Sequence, residues 1–237
     1  AENYAYTVTK NTDVIRTYEN PMLENAGFVV LKGNICDSAV MKTSVISDNF
    51  RSQYLSSPDS VNVFKVRAIV FEGPEDYHER INDPQLNIDV DCILVIRGCG
   101  PVGYPGSAEV VNMQPPDSLI RVGVLELPTL GDGRQSGTSG SPSILNVAPE
   151  SAIGGGLSLL KTGDILKIDL NHGKLDVVLD ESELQKRRDQ LKINKIENQT
   201  PWQEIYRDTV GQLSGGGIIE LAAKYQKIRK TIPRHSH

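Results

Sequence analysis

Cys92-Ile-Leu-Val-Ile-Arg97-Gly-Cys-Gly-Pro-Val-Gly-Tyr-Pro-Gly-Ser-Ala-Glu109 is the stretch that decides how the chain reads. Cys92 to Ile96 is an unbroken apolar run closed by a charge, the pattern of a strand buried on both faces. Gly98, Gly100, Gly103 and Gly106 follow within nine residues. Glycine allows positive φ and lets another group approach the main chain closely. The same sequence of events recurs downstream. A strand-like run, Val124 to Leu127, precedes a second loop, Gly131-Asp-Gly-Arg-Gln-Ser-Gly-Thr-Ser-Gly-Ser-Pro142.

Working outward, Gly27 to Gly33 reads as a buried strand, and Ala39 to Ile46 and Val66 to Phe71 as further strands. Ile165 to Leu170 and Lys174 to Leu179 alternate with period two around Asn171-His172-Gly173, a hairpin signal. Pro74 opens a short helix, Asp117 to Gly123 forms another, and Asp180 with Glu183 caps a helix over Glu181 to Leu191. Residues 1–26 are a polar lead-in, 27–200 the main domain, and 201–237 a helical tail with a stretch around Ile218 to Arg229. Short strands, interspersed short helices and no regular βαβ period predict an α+β protein built on a closed or partly closed β-barrel with flanking helices.

Composition excludes other classes. Of 237 residues, 38% are hydrophobic and 23% charged, which argues against a wholly disordered chain. A net charge of −5 argues against broad attraction to nucleic acid or an anionic membrane. No apolar run approaches the roughly 20 residues that span a bilayer. The start, Ala1 to Asp13, lacks a basic-then-apolar leader pattern. Cys36, Cys92 and Cys99 are an odd count without CxxC spacing, so no disulfide framework is expected. The expectation is a reduced, cytoplasmic, globular protein. Starting at Ala1 rather than Met predicts a processed chain or an excised piece.

Glu109, closing the first loop, offers carboxylate oxygens to a hard cation such as Mg²⁺; the alternative is a residue in the first turn of a helix. Gly98, Gly100 and Gly103 match the bare GxGxxG spacing, but no long helix follows to hold a phosphate. Ser136 and its neighbours need an activating partner to act as base or nucleophile. His78, in a charged helix, and His172, in a hairpin turn, are poor candidates for a triad. Asn198-Gln-Thr200 matches a glycosylation sequon by chance. Cys92 reads as buried, Cys36 as lying between two strands and Cys99 as exposed. A cluster built from these cysteines alone is not expected.

Six motifs then occur in order: Leu31-Lys-Gly-Asn-Ile35 with Ala39 to Lys42; Val70 to Glu75; Gly100 to Glu109; Asp132 to Thr138; Ala148-Pro-Glu150; and Gly154-Gly-Gly156. This succession resembles the C-terminal domain of the dihydroxy-acid dehydratase / phosphogluconate dehydratase family, from about Val14 to His237. The variants Gly103 to Pro116 and Gly131 to Asn146 resemble its sugar-acid branch, the dehydratases of L-arabinonate or D-xylonate. The resemblance implies a swivelling β-barrel like the C-terminal domain of aconitase-like isomerases. It implies a hydro-lyase converting a 2,3-dihydroxy acid into a 2-keto-3-deoxy acid with Mg²⁺ and an iron–sulfur cluster between two domains. Matched residue by residue, Glu109 falls at a Mg²⁺ ligand, Ser136 at the general base and Thr138 at a neighbouring catalytic hydroxyl. Gly137 and the terminal His237 fall at substrate-binding positions.

The family's N-terminal iron–sulfur domain, with the cluster ligands, has no counterpart in these residues, so the chain alone is expected to be inactive. A stand-alone binding or regulatory module and the small subunit of a split iron–sulfur hydro-lyase are the competing readings. The resemblance further implies a homo-oligomer acting on a small sugar acid, with neither nucleic acid nor membrane as partner.

Overall fold

The computed structural model describes residues 11–22, 27–109, 113–134, 142–193 and 196–225. Eight strands close into a barrel: β1 (Phe28–Gly33), β2 (Cys36–Lys42), β3 (Val63–Phe71), β4 (Cys92–Ile96), β5 (Thr129–Gly131), β6 (Ser143–Ala148), β7 (Ile165–Asp169) and β8 (Lys174–Val177). Their order around the wall is β1-β2-β6-β5-β4-β3-β7-β8. The hairpins β1–β2 and β7–β8 are antiparallel, whereas β3–β4, β4–β5 and β5–β6 are parallel. The helices are α1 (Asp48–Phe50), α2 (Pro74–Arg80), α3 (Asp117–Ile120), α4 (Glu181–Gln190), α5 (Pro201–Thr209) and α6 (Glu220–Ala223). No helix among the described residues is long and apolar enough to cross a membrane.

One apolar cluster draws on every strand, among them Leu31, Met41, Val66, Val95, Leu130 and Leu166, and fills the barrel. A second, with Ile69, Phe71, Tyr77, Leu94, Ile96 and Leu145, lies against the other face of β3, β4 and β6. β4 belongs to both clusters, Ile93 and Val95 to one, Cys92, Leu94 and Ile96 to the other. That is why its sequence is continuously apolar. Burying both faces stabilises it by about 1.5–3 kcal/mol per large side chain.

The structure departs from the sequence reading at defined points. β1 is not wholly buried: Leu31 is, but Phe28 and Val30 are more than half exposed. Val124 to Leu127 is irregular, and the strand begins at Thr129. β6 went unread because Asn146 takes φ +56° and shifts the register against β2, so its apolar residues lose period two. Cys36 opens β2 rather than lying between strands. Cys99 is fully buried, not exposed, because it packs with the second cluster. Asp180 is the N-cap of α4 but makes no side-chain cap bond, and Glu183 pairs instead with Arg187 at 2.9 Å. The tail forms α5, which starts at a Thr200 cap whose Oγ1 accepts from the Gln203 N–H at 3.2 Å. Only the short α6 falls within the expected terminal helix, whose later part lies outside the described residues.

Candidate functional site

Because β3, β4, β5 and β6 run parallel, their C-terminal ends share one rim of the barrel. The segments leaving that rim are Glu72–Gly73, the glycine-rich loop 97–109, the loop starting at Asp132, and Pro149–Glu150. Open parallel sheets place ligand sites at such ends.

Two buried carboxylates hold the glycine-rich loop. Asp132, with no exposed surface, accepts the Cys99 N–H on Oδ1 at 2.8 Å and the Gly98 N–H on Oδ2 at 3.1 Å. Its Oδ2 also accepts from Ser151, at 2.9 Å from the main chain and 2.6 Å from the hydroxyl. Glu150, equally buried, accepts from the Val102 N–H at 2.9 Å and the Gly103 N–H at 2.9 Å. Gln212, from the segment after α5, donates its Nε2 to Glu150 at 2.7 Å and accepts the Glu150 N–H at 2.8 Å. Burial pushes the Glu150 carboxyl above its ordinary range; these hydrogen bonds oppose the shift and the nearby Asp132 adds to it.

The glycine spacing has a steric cause. A Cβ on Gly100 would lie 2.4 Å from Glu150 Oε2, and one on Gly103 would lie 2.2 Å from the Gly98 carbonyl. The loop therefore cradles an anion, but that anion is the protein's own Glu150 rather than a phosphate.

Arg134 joins the two loops. Its N–H donates to the Ala108 carbonyl at 2.9 Å, its Nε to the Ser107 carbonyl at 2.6 Å, and its Nη2 lies 3.7 Å from Glu109 Oε1. Ser107 presents that carbonyl from a left-handed backbone, φ +57°, and buries a hydroxyl that has no partner among the described residues. The Arg134–Glu109 pair is about half exposed on both sides, which limits it to about 0–1 kcal/mol. On the far side of the loop, the Arg97 Nε donates to Glu72 at 2.9 Å and its Nη1 to the Leu157 and Leu160 carbonyls at 2.8 and 3.0 Å.

Among the predicted site residues, Glu109 lies on this rim with its carboxylate about half exposed, and residues 110–112, which would continue any helix from it, lie outside the described residues. Ser136, Gly137, Thr138 and His237 lie outside the described residues. Arg134 leads directly into the segment that carries the first three. A Mg²⁺ ion fits Glu109 as one oxygen donor. An iron–sulfur cluster does not fit the cysteines. All three are buried, and burial holds the thiols of Cys36 and Cys99 up at about 12 and that of Cys92 at about 11. Cluster ligation needs thiolates that converge, and among the described residues no three His, Cys, Asp or Glu side chains do so. His172 sits in the β7–β8 turn against Asp169 at 2.8 Å, and His78 on α2 packs on Tyr77.

Sequence reasoning passed over Asp132, Glu150 and Gln212. The first two stand inside quoted motifs, but nothing in their local pattern separates a buried anchor from a solvated acid.

Residues 13–217 match the sequence model of the dihydroxy-acid/6-phosphogluconate dehydratase C-terminal domain. The chain is 57% identical over its whole length to a D-xylonate dehydratase of Caulobacter vibrioides, of which it covers 40%. It is 39% identical over 181 residues, 76% of the chain and 29% of the relative, to an L-arabinonate dehydratase of Rhizobium leguminosarum bv. trifolii. A dihydroxy-acid dehydratase of Clostridium kluyveri is 33% identical over 223 residues, 93% of the chain and 37% of that relative. The chain thus spans two fifths or less of the length of these curated relatives.

Proposed function

The chain belongs to the dihydroxy-acid/6-phosphogluconate dehydratase family, matching its C-terminal domain, and we propose that it is the C-terminal part of a hydro-lyase that dehydrates a pentonate to its 2-keto-3-deoxy acid. The observation that carries this reading is the Arg134 junction. Arg134 bonds to the Ser107 and Ala108 carbonyls beside Glu109, in a chain similar over its full length to a D-xylonate dehydratase.

In this reading Glu109 contributes carboxylate oxygen to a Mg²⁺ ion. Bound there, the ion supplies Lewis-acid stabilisation of charge developing on the substrate carboxylate and C2 hydroxyl. Ser136 Oγ takes the proton from C2, and the Thr138 hydroxyl orients the substrate or passes that proton on. Gly137 lets the substrate approach the main chain, and His237 binds the substrate. The proton from C2 and the hydroxide from C3 together make the water released, and the enol left behind tautomerises to the ketone. The cluster ligands belong to an N-terminal domain outside this chain, so the chain alone is inert. The complete enzyme is a cytoplasmic homo-oligomer.

The test is formation of 2-keto-3-deoxy acid from D-xylonate or L-arabinonate. The complete protein turns over, this chain alone does not, and Ser136→Ala in the complete protein abolishes turnover while leaving the fold intact. Activity in the isolated chain refutes the half-site reading, and near-normal turnover in Ser136→Ala removes the base assignment.

A further inference from the structure

We propose that Glu150 is a positioning residue for the rim carboxylate Glu109: a buried plug that sets the shape of the glycine-rich loop and ties it to the C-terminal segment through Gln212. The proposal rests on the reading of Glu109 as a cation ligand. The loop folds back on itself through two internal bonds, Tyr104 N–H to the Gly98 carbonyl at 2.8 Å and Ser107 N–H to the Gly100 carbonyl at 2.9 Å. Those bonds leave the Val102 and Gly103 N–H groups pointing inward, and Glu150 is the acceptor that meets both. A buried donor left without an acceptor is costly. The loop therefore takes this shape only with the carboxylate in place.

The fit is mutual. Gly100 has no room for a Cβ because the Glu150 Cβ and Cδ stand 2.6 Å from where it would be. A carboxylate suits the position where an amide does not, because it accepts on both oxygens and presents no N–H to the loop's own donors. Glu150 Oε1 accepts at once from Val102 and from Gln212, and Oε2 from Gly103 and, at 3.1 Å, from Val102 as well. From this plug the chain runs through Ser107 and Ala108, fixed by Arg134, to Glu109.

Gln212 carries the link outward. Its side chain makes reciprocal bonds with Glu150, and Arg207 on α5 donates its Nε to the Val102 carbonyl at 3.1 Å. The segment that leads to the chain's end is therefore coupled to the same loop at two points. Groups that orient a metal ligand from behind change metal affinity by about 10–100-fold when altered. Glu150 acts through the main chain rather than on the Glu109 side chain, so the lower end of that range applies.

The experiment compares wild type, Glu150→Gln, Gln212→Ala and the swap that combines Glu150→Gln with Gln212→Glu, all in the complete protein. It reads amide hydrogen exchange at Val102 and Gly103, and Mg²⁺ affinity by calorimetry. Glu150→Gln leaves one oxygen where three donors met two, and its N–H₂ group faces either Gly103 or Gln212, so the loop loosens, exchange at Gly103 accelerates and Mg²⁺ binds about tenfold more weakly. The swap restores both, because the amide now at position 150 donates to the carboxylate now at position 212 while its oxygen accepts from the loop. Gln212→Ala, which leaves the plug in place, gives a smaller loss in the same direction and serves where Glu150→Gln does not fold. Unchanged exchange in Glu150→Gln overturns the proposal, as does accelerated exchange with unchanged Mg²⁺ affinity. Glu109→Gln is the control: if it leaves Mg²⁺ binding untouched, the fault lies in the assignment of Glu109 and not in the plug.

Discussion

Asp132 offers the sharpest test of how the rim is held. Its two oxygens accept four hydrogen bonds, from Gly98, Cys99 and twice from Ser151, and so join the ends of β4, β5 and β6. Asp132→Asn keeps the shape. With its oxygen in the Oδ2 place it still meets Gly98 and Ser151, but its N–H₂ group faces the Cys99 N–H that Oδ1 accepts at 2.8 Å. One buried donor is orphaned, at about 1–3 kcal/mol. Asp132→Ala removes both oxygens. The Gly98 N–H keeps the Ser151 hydroxyl as acceptor at 2.7 Å, while the Cys99 N–H, the Ser151 N–H and the Ser151 hydroxyl lose theirs, so about 3–9 kcal/mol is at stake. For a chain of this size, about 2–4 °C of Tm goes with each kcal/mol. The asparagine variant should therefore melt roughly 2–12 °C below wild type, and the alanine variant about three times as far below. The assay is thermal unfolding by circular dichroism at neutral pH, with urea midpoints as the second measure. An alanine variant no less stable than the asparagine one refutes the reasoning, since the count of orphaned donors would then not set the cost.

Three further outcomes follow from the same geometry. Gly100→Ala forces a Cβ to within 2.4 Å of Glu150 Oε2; overpacking of this kind costs about 1–3 kcal/mol, and the urea midpoint should fall accordingly, whereas an unchanged midpoint shows that the loop can move off Glu150. The three cysteines, buried and held as thiols with values of about 11 to 12, should resist a thiol reagent at mildly alkaline pH until urea unfolds the chain; prompt labelling of Cys99 contradicts its burial. Arg187, about one tenth exposed, pairs with the equally buried Asp164 and donates to the Leu159 carbonyl at 2.9 Å; Arg187→Met strands the Asp164 carboxylate and should cost about 3–5 kcal/mol by urea denaturation, and restoration of stability by adding Asp164→Leu identifies the stranded charge as the cause.

What the sequence made legible and what it hid follow one physical rule: regular burial leaves a periodic trace, and local exceptions erase it. β4 was readable because both of its faces are buried, and the β7–β8 hairpin because one face of each strand is. β6 was not readable, because a single left-handed residue, Asn146, inserts a bulge and puts Ile144 and Val147 on the same side. Cys99 looked exposed because glycines surround it, yet the bonds from Gly98 and Cys99 to Asp132 pull the loop's start inward and bury the thiol. The glycines themselves were visible, but their reason was not. Gly100 and Gly103 look like a cradle awaiting a ligand, and the tertiary fold fills that cradle with Glu150, forty-seven residues from Gly103 in sequence. An acidic residue that anchors a distant loop carries no local signature, since its role exists only once the barrel closes and brings the ends of parallel strands to one rim. Glu109 stands out in the sequence only as the end of its glycine-rich motif. The tertiary fold adds its place: Arg134 holds the Ser107 and Ala108 carbonyls just before it, so the Glu109 carboxylate stands on the rim, about half exposed.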